Sequence, residues 1–460
     1  MVKRNPVSLK KELGLLGSFA MGFADVGADI FLALGLIAAY AHGLMPLAIL
    51  AAAIVYICSG LAYAELGAAI PISGGSSAFA KETFGNWAGF LAGWGLMLDY
   101  TIDIALFAFA SAGYLLFFFP TMIGAIPTIA ALLIFVLMIV NLLGIRESSA
   151  VNSGLTVIVI LIVIGLIFLG FSSKFDYKMF KSGLTPIALD PGISNFLYSI
   201  TLAMVTFVGV ESISQGAEET KDPGKTIPRA TLLSIFFVIV FAILMSIMVL
   251  GIVSPKTLAE HMENPLIPVA QALPFASIVV PIIAFAGFMI CFVSANTGII
   301  GVSRVVYYMG KTGLISRRLS WLHPKFRTPW VTTIIFSIIA MLLAFLGNMV
   351  LLGELYAFGA LTAYTLTNFS SIQLRIKKPD LIRPFKMPFN VRIGEHEISL
   401  ISLVGIFSCL TVFILVALLH VEGRNFAFLW FLIGATYFKF YQDYRNREQI
   451  LAENNKAQFI

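Results

Sequence analysis

Two carboxylates, Asp25 and Asp29, stand in the middle of an apolar run from about residue 14 to residue 40, long enough to cross a bilayer. A charge at that depth costs at least about 2.5 kcal/mol on insertion scales, so such residues face a cavity or a partner rather than lipid. Gly22 and Gly27 accompany them, and each glycine weakens a helix by roughly 1 kcal/mol relative to alanine. Residues 22–31 are therefore expected to break the first transmembrane helix and to line a binding site. A second break is expected at Phe207-Val208-Gly209-Val210-Glu211.

The rest of the chain supplies the membrane context. Of 460 residues, 59% are hydrophobic and 12% charged, and mean hydropathy is +0.94, more apolar surface than a soluble core can hide. The class is an all-α polytopic membrane protein. A net charge of +6 implies no nucleic-acid partner, because the basic residues sit in short loops between apolar runs. Cys58, Cys291 and Cys409 fall inside apolar runs and read as small packing residues. The histidines form no metal-ligand cluster, and no nucleotide loop or nucleophile–base pair sits within a span, so neither a cofactor nor an enzyme is expected. The first residues are too polar for a signal peptide.

About twelve runs approach the roughly 20 residues a bilayer requires, near 14–40, 46–66, 88–118, 123–144, 152–172, 194–216, 230–253, 275–305, 330–347, 351–373, 398–419 and 425–441. With that map, 25 of the 30 Lys and Arg residues fall on one side, which the positive-inside rule makes cytoplasmic, together with both termini. A plasma-membrane location follows as the expectation. The polar segment 173–193 separates five spans from five. Each set opens with an acid-bearing, glycine-interrupted span, and an odd count turns the second set upside down, the pattern of an inverted repeat. The expected organisation is a tail at 1–12, a first repeat at 13–172, an extracellular linker at 173–193 and a second repeat at 194–373. A basic cytoplasmic loop at 374–397, two further spans at 398–441 and a tail at 442–460 complete it.

Several stretches carry a more specific signal, in order along the chain. They are Tyr63-Ala64-Glu65-Leu66 with Pro71-Ile72-Ser73-Gly74-Gly75, and Phe207-Val208-Gly209-Val210-Glu211 with Glu218-Glu219 and Ile227-Pro228-Arg229. Ser303-Arg304 and, after span ten, Leu374-Arg375, Pro379-Asp380-Leu381 and Arg383-Pro384-Phe385-Lys386-Met387-Pro388 follow. Together they resemble the amino acid permeases of the amino acid–polyamine–organocation transporter superfamily. The resemblance implies the leucine-transporter type of five-plus-five inverted repeat, with helices 1 and 6 discontinuous. It implies a secondary active transporter for an amino acid or related amine, working by alternating access with a small-molecule substrate held at the midplane. Substrate contacts would come from Asp25, Val26, Gly27, Ala28, Asp29, Tyr100, Phe207, Val208, Gly209 and Glu211, with free backbone amides meeting a carboxylate.

The chain departs from the usual pattern of these permeases at span one, where Phe23 replaces a glycine and Asp29 replaces a small residue. Asp25-Val26-Gly27 and Asp99-Tyr100 resemble potassium-uptake relatives of the same superfamily instead, so a potassium or polyamine carrier is the alternative. Asp25 and Asp29, like Asp99 and Asp103, are spaced i,i+4 and share a helix face. With Glu211 they have no Lys or Arg at comparable depth. Their possible uses are cation or amine binding, proton carriage, or bonding to hydroxyls and helix ends. Like charges held away from water cannot all stay ionised, so at least one is expected to exchange a proton during transport. Ser294 and Thr297 are candidate sodium ligands, and H+ or Na+ the candidate coupling ions. Tyr356 and Tyr364 are further candidates to line the site.

Overall fold

The computed structural model describes residues 11–457. Lys3, Arg4 and Lys10, which enter the loop-charge argument, lie outside the described residues. The chain is built from helices: α1 Leu15–Ala41, α2 Met45–Ala69, α3 Ser76–Phe84, α4 Asn86–Leu115, α5 Ile126–Leu143, α6 Ile145–Ser173 and α7 Tyr177–Gly183. There follow α8 Ile193–Ala203, α9 Ser212–Gln215, α10 Pro223–Leu250, α11 Pro255–Ala259, α12 Leu266–Ala272, α13 Ala276–Lys311, α14 Trp330–Ala344, α15 Met349–Lys377, α16 Leu400–Leu419 and α17 Val421–Ala457. Among the described residues nine segments are long and apolar enough to cross a membrane, and one of them, Leu15–Ala69, contains both α1 and α2. Two helices at expected spans are not among the nine. They are α14, which has 15 residues, and α17.

Burial sorts these helices into an inner and an outer set. From Ser18 to Ala38 α1 is buried on every side, and α4 is nearly so; α4 packs most extensively on α13 and α15. A helix apolar all round belongs in an interior. By contrast, α5, α6, α16 and α17 turn Leu132, Leu161, Phe168, Phe407 and Phe428 outward. Such an apolar belt suits lipid. The cysteines are free and buried, as packing residues are. One element was not expected. Within the basic loop, β1 Asn390–Ile393 pairs antiparallel with β2 His396–Ser399, Asn390 opposite Ser399. Its strands are too short to stand out in so polar a stretch.

The first expected break is absent. α1 is one continuous helix through residues 22–31. Its glycines serve close packing instead. Ile213 lies 2.6 Å from where a Cβ on Gly22 would stand, and the Phe23 ring 2.9 Å from one on Gly27. The first is an approach between helices, which a small residue admits; the second lies within α1, where Gly27 leaves room for the Phe23 ring one turn before it.

The second break is present. Between α8 and α9 the chain passes through a 3-10 turn, Met204–Phe207, into extended backbone at Val208 and then Gly209 at φ +125°. L-residues rarely adopt that angle, which is why glycine stands there. The freed backbone groups are taken up by side chains. The Gly209 N–H donates to Glu211 Oε2 at 3.1 Å and to the Tyr364 hydroxyl oxygen at 3.3 Å.

Candidate functional site

All five span-borne acids converge beside this break. Asp25, Asp29, Asp99, Asp103 and Glu211 are each at most 1% exposed. α1 supplies the first two, α4 the next two, and the α8–α9 break supplies Glu211. The i,i+4 spacing read from the sequence turns both pairs inward.

Both oxygens of Asp25 are occupied. Ser212 donates to Oδ2 at 2.5 Å and Ser294 to Oδ1 at 3.1 Å. Tyr356 donates to Asp103 Oδ1 at 3.1 Å, and Tyr364 to Glu211 Oε2 at 2.7 Å. Both oxygens of Asp29 and Asp103 Oδ2 accept no hydrogen bond, while the Asp99 and Glu211 carboxyl groups adjoin, so that either, when protonated, can donate to the other. An unpaired buried polar atom costs about 1–3 kcal/mol, more when charged.

Aromatic rings close around the acids. Phe207 stacks on Tyr56 with ring centroids 5.2 Å apart, and both are buried. The Tyr100 hydroxyl lies 3.4 Å from Ser212 Oγ. Tyr100, Phe207, Val208, Gly209 and Glu211 thus lie beside the acids. Val26, Gly27 and Ala28 do not take the role given them. They lie mid-helix in α1, whose backbone amides are spent on its own turns, so they cannot offer free N–H groups to a substrate. Glu211 holds the helix break through Oε2, which accepts from the Gly209 amide and the Tyr364 hydroxyl.

The proposed sodium ligands turn to different helices. Ser294 bonds to Asp25 on α1. Thr297 donates to the Val293 carbonyl and lies 3.4 Å from the Asn152 amide on α6. Ser212 and Tyr56 were not foreseen. Ser212 stands one residue past Glu211, and that adjacency was the available signal. Tyr56 carries none, because it depends on how α2 packs.

Two buried ion-pair clusters lie apart from the acids and join motifs distant in sequence. Glu65 accepts from Arg375 at 2.8 and 2.5 Å, with Arg383 Nε 3.5 Å away, and from the Met387 amide at 2.9 Å. Arg304 donates to both oxygens of Glu219 at 3.3 Å. Beside that pair the chain entering α1 is pinned, the Lys221 amide donating to the Leu13 carbonyl at 2.8 Å. The buried arginines thus have acids of their own, and among the described residues no Lys or Arg pairs with the five site carboxylates.

A polytopic helical bundle that buries acids at a broken helix is the architecture of a membrane transporter. The sequence pattern of the amino acid permease family matches residues 13–438, and the chain belongs to that family. It is 28% identical to the branched-chain amino acid permease BcaP of Bacillus subtilis, over 94% of this chain and 93% of that protein. It is 27% identical to the methylthioribose transporter of the same species, over 83% of this chain and 85% of that one. It is 29% identical to cationic amino acid transporter 9, chloroplastic, of Arabidopsis thaliana, over 80% of this chain and 67% of that one.

Proposed function

We propose that this permease is a secondary active transporter that carries an amino acid or related amine across the plasma membrane, by alternating access around the α8–α9 break. The observation that carries this reading is the set of five buried carboxylates without a basic partner. Ionised carboxylates only accept hydrogen bonds, and an ammonium group only donates them, so the site is chemically matched to an amine. The relatives named for amino acids agree with this. The inverted repeat of 13–172 and 194–373, the cytoplasmic termini and the twelve-span topology belong to the same reading, supported by loop charge.

Protons are the proposed coupling ions. Carboxylates that give up a bound amine in a dry site need another cation, and a proton is the one they can hold covalently. Asp25 is placed for this, standing against Gly209 of the break with Ser212 and Ser294 on its oxygens. In proteoliposomes, Asp25→Asn is expected to lower uptake about tenfold or more, the scale of losing a hydrogen bond to a charged group. It should also flatten the dependence of uptake on external pH. Full uptake with an unchanged pH profile would remove Asp25 from coupling. The second reading is a potassium or polyamine carrier, favoured by the same excess of acceptors. Uptake of potassium but of no amino acid or amine would establish the potassium form of it.

A further inference from the structure

Between α15 and α16 the chain turns its polar side in and its apolar side out. In the β1–β2 hairpin Val391 stands opposite Ile398 and Ile393 opposite His396, while Asn390 stands opposite Ser399. Directly opposed residues share a face of a two-stranded sheet, and neighbours along a strand alternate. The face of Asn390 and Ser399 is held to the protein. Arg375 donates to Asn390 Oδ1, and Ser399 Oγ accepts from the Ser402 amide at 3.2 Å, which caps α16. The other face carries Val391 and Ile393, which are 40% and 60% exposed. A hairpin open to water would have the reverse arrangement.

Phe389, just before β1, repeats the pattern. Its ring is 74% exposed, and its φ of +57° lies in the left-handed region that bulky L-residues rarely adopt. Glycine or asparagine would make that turn with less strain, so the turn alone does not account for a phenylalanine there.

The place of the loop names what covers this face. The Leu400 amide donates to the Phe389 carbonyl at 3.0 Å, so Phe389 lies level with the first residue of α16, a helix long and apolar enough to span the membrane. At the other end of the loop Ile382, 82% exposed, precedes Arg383, whose guanidinium donates to the Leu374 carbonyl in the last turn of α15. The exposed apolar side chains therefore stand where the chain leaves the bilayer and where it enters again. From its first turn onward α16 exposes Leu403, Val404 and Phe407, so the apolar face adjoins the lipid-facing belt. The hairpin goes no deeper than the interface, because the outer edges of a two-stranded sheet carry backbone groups that hydrocarbon cannot satisfy.

We propose that the β1–β2 hairpin is a membrane-interface anchor, with Phe389, Val391 and Ile393 inserted among the phospholipid chains of the leaflet where α15 ends and α16 begins. An amphipathic element lying in that plane buries its apolar face about 5–10 Å into the boundary between headgroups and chains. Through Asn390 and Arg375 the anchor is tied to Glu65 on α2. None of these residues is among the five acids, so the inference stands apart from what is transported.

The test is nitroxide spin labelling of the full-length protein in phosphatidylcholine nanodiscs, which leave both faces of the bilayer open to solution. Val391→Cys, Arg392→Cys and Ile393→Cys are labelled singly. The native cysteines are buried, and the unsubstituted protein gives the background. Molecular oxygen concentrates among the lipid chains, and a neutral nickel chelate stays in water. The ratio of oxygen to nickel collisions is expected to be several-fold higher at 391 and 393 than at 392. A low ratio at all three positions would place the face in water and overturn the anchor. A high ratio at all three would sink the whole hairpin and overturn the two-faced arrangement.

Phe389→Asn tests the same point without a label. Asparagine tolerates the left-handed angle, so the substitution leaves an exposed turn as stable as before or more so. An inserted ring gives the opposite sign: the unfolding midpoint in nanodiscs is expected to fall. A midpoint unchanged or raised would overturn the insertion of Phe389.

Discussion

Glu65→Ala is expected to destabilise the protein by about 3–5 kcal/mol, the usual consequence of removing one partner from a buried ion pair. Glu65 is 0% exposed and serves three groups on a segment more than three hundred residues away. Without it, the Arg375 guanidinium keeps only Asn390 Oδ1, at 2.6 Å, and the Met387 amide loses its acceptor. Arg383 keeps the carbonyls of Leu374 and Leu381, at 3.0 and 2.8 Å, but loses its buried carboxylate partner. The penalty comes from the stranded charge, so Glu65→Ala combined with Arg375→Met should cost less than Glu65→Ala alone, a departure from additivity. Unfolding midpoints in detergent for the single and double variants decide it. A midpoint for Glu65→Ala equal to the wild type would mean that water replaces the carboxylate freely and that the cluster does not hold α2 to α15.

Glu65 also marks where reading the sequence stops. Its motif, and those of Arg375 and Arg383, were visible in the chain, but that they meet was not. Pairing across three hundred residues depends on the packing of α2, α15 and the loop after it, and no local pattern encodes that packing. The membrane class was legible because apolar length is nearly a direct measurement of bilayer thickness. The site acids were legible because charge at that depth needs a reason, and their i,i+4 spacing correctly placed each pair on an inward face. The expectation of a broken α1 failed where propensity was set against tertiary packing. Gly22 and Gly27 were read as weak points, yet they are contact points, and a helix buried on all sides retains its hydrogen bonds because nothing else can satisfy them. At Gly209 the same residue type does mark a break, held open by Glu211 and Tyr364. Composition alone does not separate the two cases.

That contrast yields the second large effect: Gly209→Ala should abolish most transport while leaving the protein folded. Gly209 sits at φ +125°, where an L-residue is strained by about 1–3 kcal/mol. A Cβ there would stand 2.5 Å from Asp25 Cβ and 2.9 Å from its Cγ and Oδ2. Asp25 cannot swing aside cheaply, since Ser212 and Ser294 hold both its oxygens. The added methyl must therefore displace either the break or the central carboxylate, and both belong to the site. Uptake into proteoliposomes is expected to fall at least about tenfold, the equivalent of 1.4 kcal/mol. Gly22→Ala is the control. It also meets a neighbour closely, Ile213 Cδ1 at 2.6 Å, but its backbone is helical and the obstructing atom is the end of an aliphatic side chain. Crowding alone would penalise the two variants alike, whereas a specific need for the left-handed turn against Asp25 penalises Gly209→Ala far more. Wild-type uptake by Gly209→Ala would show that neither the angle of the break nor the position of Asp25 matters to the transport cycle, and the substrate path would then have to be sought away from these five acids.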